Sequence, residues 1–196
     1  MFSKRSVPEP DLIIGYTTRR HLLLDLDKTT LTKVTMLTRM IMAQWPEVGD
    51  ALILRSSEGS GRIDTRYDNF HRPYHRLDGD SYHIVFDGLI GYNKACRIIG
   101  ALAGVHVLNR DYVKLREFRG DMTLRVSPSV LSSGVKPAPV VVAGIKNVKF
   151  RGTGGGITQY LSFSAACARI GRGLGLLEAA VQVVPAQAGY RDDGQP

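Results

Sequence analysis

Cysteine is nearly absent: the 196 residues contain two, Cys96 and Cys167, far apart. That excludes a disulfide framework and a cysteine zinc motif, and leaves a reducing compartment, the cytoplasm, as the expected setting. Long hydrophobic runs are missing too, so no membrane partner is expected. Lys4, Arg5 and two prolines follow the first residues where a secretory leader would be apolar, so none is expected. Acidic residues are outnumbered: 18 Asp and Glu face 26 Lys and Arg, a net charge of +8. An excess of that sign favours a polyanionic partner. What remains, 43% hydrophobic and 22% charged, is the composition of a globular domain with room for a core.

Three short segments stand out. Leu22-Leu23-Leu24-Asp25-Leu26-Asp27, Asp80-Ser81-Tyr82-His83-Ile84-Val85-Phe86 and Arg119-Gly120-Asp121-Met122-Thr123-Leu124-Arg125 each read as a strand. Side chains alternate across a strand, so Leu22, Leu24 and Leu26 oppose Asp25 and Asp27. Tyr82, Ile84 and Phe86 oppose Ser81 and His83, and Met122 and Leu124 oppose Asp121, Thr123 and Arg125. The shared division predicts one sheet, with helices on its apolar face and its polar face open.

Periodicity orders the elements. A first strand covers 13–27, broken near Thr17 and Thr18. A helix over 30–44 buries Leu31, Val34, Leu37, Ile41 and Trp45. Strands over 51–57 and 81–87 are joined by a polar stretch, and a helix over 91–103 turns Ala95, Ile98, Ile99 and Leu102 inward. A fourth strand covers 112–126. The predicted class is α+β: a ferredoxin-like, RNA-recognition-like β-α-β-β-α-β antiparallel sheet with helices on one face and a C-terminal appendage. That topology orders the strands 4-1-3-2, with strand 1 between His83 and Asp121. Residues 11–127 form the predicted core, 128–139 a linker, 140–182 the appendage and 183–196 a disordered tail.

Two carboxylates at i and i+2 can share a divalent cation, and a third from a neighbouring strand completes an oxygen-rich site. Asp25, Asp27 and Asp121 are the candidate ligands; the plainer alternative is that Asp-Leu-Asp ends a strand and caps the next helix. Ser81 and His83 could donate to the phosphate oxygens of a nucleotide. Arg125 offers a planar fork for phosphate. Lys114, Arg116 and Arg119 continue the charge along the fourth strand. Arg55, Arg62, Arg66, Arg72 and Arg76, interleaved with Tyr67, Phe70, His71, Tyr74 and His75, could grip a nucleic-acid backbone and stack on bases. Their alternative is a solvated hairpin between strands 2 and 3. The glycine run 152–156 lacks the ending of a phosphate-binding loop and reads as a flexible connection.

In their order and strand context, the three segments resemble the motifs of the archaeo-eukaryotic primase superfamily, the primase–polymerase catalytic core. Leu22 to Asp27 matches its hhhDhD strand, Ser81-Tyr82-His83 its S-x-H strand and Asp121 its late h-D strand. The resemblance implies a minimal or divergent member: a nucleotidyltransferase of DNA replication or repair, acting on a DNA template with nucleoside triphosphates, alongside other replication proteins. It implies Mg²⁺ or Mn²⁺ held by Asp25, Asp27 and Asp121 as the catalytic set, and the triphosphate met by Ser81, His83 and Arg125. Two other readings stand beside it. One is a non-catalytic nucleic-acid- or nucleotide-binding module. The other is a haloacid-dehalogenase-like phosphatase, with Asp25 as nucleophile and Asp27 as acid/base in an Asp-x-Asp-x-Thr motif, which requires a parallel sheet.

Overall fold

Leucine-rich alternation puts residues 23–29 into a strand. Its place in the molecule comes from a computed structural model, which describes residues 14–67, 73–77, 79–104, 114, 118–131, 134–150 and 154–173. The strands are β1 (Gly15–Thr18), β2 (Leu23–Thr29), β3 (Ala51–Ser57), β4 (Ile63–Tyr67), β5 (Pro73–Leu77), β6 (Asp80–Phe86), β7 (Met122–Arg125), β8 (Ser129–Leu131), β9 (Gly134–Lys136) and β10 (Val140–Ile145). The helices are α1 (Leu31–Gln44), α2 (Tyr92–Gly104) and α3 (Gly156–Gly173), with a 3₁₀ turn at Pro46–Val48. No helix among the described residues is long and apolar enough to cross a membrane.

The main sheet is antiparallel in the order β10-β3-β6-β2. The expected adjacency of strands 1, 3 and 2 is therefore formed, but strand 1, here β2, lies at the edge of this sheet and not inside it. The expected fourth strand is shorter than 112–126: Phe118 and Arg119 are helical, Gly120 turns with φ +70°, and only Met122–Arg125 is extended. It pairs with β1, not β2, although it packs beside β2. The 4-1-3-2 order is thus not the one observed. The two sheets differ because the chain bends between β1 and β2, at Arg19 to Leu22, and gives β1 its own partner.

Residues past 139 do not stand apart. β10 is hydrogen-bonded to β3, and Tyr160 and Cys167 of α3 lie in the same buried cluster as Leu22, Leu24, Ile53, Ile84, Phe86 and Met122. Asn147, just past β10, ties back by donating from its amide nitrogen to Pro46 O (2.9 Å) and from its backbone to Asp50 Oδ1 (2.8 Å). The expected tail over 183–196 lies outside the described residues.

α1 begins at Thr30, whose hydroxyl accepts from Lys33 N (3.3 Å), so threonine and not Asp27 supplies the cap. Its buried stripe is Val34, Leu37, Thr38, Ile41 and Met42, while Leu31 is exposed. α2 buries Ala95, Ile98, Ile99 and Leu102 as expected.

Candidate functional site

Pairing of β2 with β6 sets Asp25 opposite His83. The imidazole Nε2 lies 3.5 Å from Asp25 Oδ1, with His83 buried and Asp25 about a third exposed. Tyr82 takes the other face, where its hydroxyl approaches the Leu31 amide at the start of α1 and donates to Asp80 Oδ2 (2.9 Å). Burial, followed by that contact with Asp80, pushes the Tyr82 phenol up from its usual range. Ser81, on the His83 side by alternation, is buried opposite Ser57.

Both strands beside Ser81 are irregular. β2 gains a residue between Leu26 and Thr29, where Lys28 takes φ +54°, and β3 gains one at Ser56. A bulge adds an unpaired residue and re-aims side chains, and such features cluster beside active sites. The β2 bulge contains Asp27 and leaves it exposed.

The Ser56 carbonyl is taken up by Arg125. Its Nη2 donates to Ser56 O (2.5 Å), and its Nη1 to Ser127 O (2.5 Å) and Pro137 O (2.7 Å). Three of its five N–H donors are thus spent on backbone, which a phosphate-binding arginine would keep for its ligand. Burial lowers the Arg125 pKa, while the charge of Asp25 and the Tyr160 phenol raise it. Asp25 and His83 thus face each other across β2 and β6, and Arg125, on β7 of the other sheet, lies near enough for the charge of Asp25 to act on it. Asp121 is turned to local partners: its Oδ1 accepts from the Thr123 hydroxyl (2.9 Å), which also lies 3.1 Å from Thr17 Oγ1.

α3 also reaches Arg125. Tyr160 of α3, 1% exposed, donates to Arg125 O (3.5 Å), and its phenol is driven well above the usual range by burial. Within the expected appendage, nothing in a single amphipathic stripe says which face a helix will cover. α3 starts on Asp87, another residue the sequence did not single out. Its buried carboxylate accepts from Gly154 N (3.1 Å) and Ile157 N (3.0 Å). The amides of Gly154 and Ile157 thus meet a carboxylate supplied by the chain itself. A Cβ at Gly154 would overlap the Asp87 carbonyl, and one at Gly156 would meet the buried His21 ring and Phe86 O.

A metal site would need carboxylates that reach solvent together. Asp25 and Asp27 come from one strand and both reach solvent, so these are the two carboxylates that would hold Mg²⁺, an ion that keeps waters and shares phosphate oxygens. Among the described residues no three His, Cys, Asp or Glu side chains are gathered to hold a metal ion, so Asp121 does not complete the expected trio.

The basic residues are dispersed. Arg55 pairs with Glu58 (2.8 Å) and Arg62 is exposed. β4 and β5 form the hairpin expected between strands 2 and 3, with Arg66 registered opposite Tyr74 and Asp64 opposite Arg76. Lys114 and Arg119 are exposed. Arg72, Arg116, Phe70 and His71 lie outside the described residues. The antiparallel pairings also remove the parallel sheet that the phosphatase reading requires. No family model, curated protein or solved structure matches the chain.

Proposed function

We propose that the chain is a primase–polymerase-type catalytic core, a nucleotidyltransferase that binds a nucleoside triphosphate with Mg²⁺ or Mn²⁺ and acts on a DNA template. One observation carries the reading: the register sets Asp25 against His83, and Arg125 lies close enough to Asp25 for their charges to interact. Residues of three distant segments, each singled out by strand alternation and side-chain chemistry, come near one another. The adjacency of β2, β6 and β3 supports a ferredoxin-like origin for the sheet as part of the same proposal.

Asp25 and Asp27 would hold the metal, which supplies charge to stabilise the oxygens of a transferring phosphoryl group. His83, oriented by Asp25, and Ser81 would donate to the triphosphate. Arg125 would act from behind, fixing the β3 bulge and the Ser127–Pro137 carbonyls. The test is primer extension and de novo priming with Mn²⁺ or Mg²⁺, comparing wild type with Asp25→Ala/Asp27→Ala. Incorporation by wild type and a loss of at least a hundredfold in the variant are expected, because the carboxylates position the metal's charge. No metal-dependent nucleotide binding or incorporation by wild type would remove the catalytic reading. The non-catalytic nucleic-acid module is the second reading, favoured by the separation of Asp121 from the Asp25–Asp27 pair.

A further inference from the structure

An open, shallow depression of about 440 Å³ lies where α2 begins, and neither Asp25 nor His83 lines it. Arg19, Tyr92, Asn93, Lys94 and Arg97 line it. Arg19 is anchored from two directions: its Nε donates to Gly120 O (2.9 Å), and its guanidinium lies 5.8 Å from the centre of the Tyr92 ring. Lys94 pairs with Glu47 and lowers the pKa of that carboxyl, so its charge is largely balanced. Arg19 and Arg97 are then the cations that the depression presents. α2 has no acidic residue in its first turn to offset them.

The Gly120 contact joins this depression to the turn that carries Phe118 and Arg119. Phe118 is 90% exposed, a large aromatic ring given to water, and Arg119 beside it is exposed as well. Cations that track phosphates and an exposed ring that stacks on a base are the two components of single-strand binding surfaces. We propose that this face binds single-stranded nucleic acid, with a backbone phosphate between Arg19 and Arg97 and a base on Phe118. The proposal rests on the reading above only for the class of partner and needs no metal. The excess positive charge of the chain complements the ligand.

The test is fluorescence anisotropy with a labelled 12-nucleotide single-stranded DNA, titrated at several salt concentrations with the full chain. Arg19→Ala/Arg97→Ala should weaken binding about tenfold and flatten the salt dependence by roughly the one to two phosphate contacts removed. Phe118→Ala should weaken it about fivefold or more without changing the salt slope. Arg39→Ala/Lys149→Ala removes the same charge from exposed positions elsewhere and should change affinity less than twofold. Circular dichroism checks that each variant is folded, and Arg97→Ala alone, which leaves the Gly120 contact intact, serves if the double variant is not. Equal losses in the two charge-matched variants, an unaffected Phe118→Ala, or equal affinity for a blunt duplex would overturn the proposal. Binding without incorporation would count against the nucleotidyltransferase alone. Incorporation with unaffected Arg19 and Phe118 variants would count against this surface alone.

Discussion

Arg125 shows how one residue type can be selected by sequence for the right place and the wrong contact. Its position on a strand beside Asp121 was legible, because Met122 and Leu124 alternate with it. Its partners were not, since they are carbonyls at Ser56, Ser127 and Pro137, and no side-chain pattern announces a free carbonyl. A fork can serve carbonyls in several directions, whereas an ammonium is a point donor on a flexible stem. Arg125→Lys should therefore fail to restore what Arg125→Met loses. Leaving the two part-buried carbonyls, Ser56 O and Ser127 O, unanswered costs about 1–3 kcal/mol each, so a loss of roughly 3 kcal/mol is expected for Arg125→Met in urea unfolding. Lysine should recover less than half of it. Full recovery by lysine would mean that charge beside Asp25, and not the fork, is what the site uses. His83 and Asp25 were legible as a pair only at the level of faces; their direct opposition depends on register, which the bulges at Lys28 and Ser56 shift and which no local propensity encodes.

Elements fared according to whether their pattern named a partner. α2 and the central part of α1 were legible because an apolar stripe fixes a helix wherever it docks. β2, β6 and β3 were legible as neighbours because the alternating faces and the β-α-β-β-α-β order predict one antiparallel sheet; that β2 lies at its edge was not. α3 was not, because its placement is set by a contact its own sequence lacks, the Asp87 carboxylate on its first amides. A charged acceptor at a helix N-terminus satisfies donors that no following residue can reach and interacts with the helix dipole. Asp87→Asn keeps the shape but removes the charge, and should cost about 1–2 kcal/mol. Gly154→Ala, which drives a methyl into the Asp87 carbonyl, should cost more than Asp87→Asn and raise hydrogen exchange in 156–173 before the rest of the chain. Uniform acceleration across β6 and α3 in both variants would show instead that the helix and sheet open as one unit.

At the scale of the whole molecule, the sequence divided a catalytic core at residue 127 from an appendage, and the structure draws no such line. The Ser- and Pro-bearing stretch after 127 has the composition of a linker, yet β8 and β9 pair within it and β10 then continues the main sheet. Composition reports how a segment behaves in isolation; it carries no information about an edge elsewhere that needs a strand. β3 would lose its outer partner without β10, and loss of the buried Tyr160 and Cys167 would leave a gap in the common core. Truncation after Pro139 should therefore unfold residues 14–126 instead of releasing a smaller core. Trp45, the single tryptophan, packs against the cluster at the end of α1 and reports on that half of the chain. In urea, its fluorescence and far-ultraviolet circular dichroism should give coincident transitions for the full chain, as one cooperative unit requires. The truncated chain should show a broad transition with a much reduced slope, since that slope follows the surface exposed on unfolding. A sharp transition for the truncated chain at the same urea concentration would make 140–173 dispensable to the fold, and would return α3 to the role of a cover over a site that exists without it.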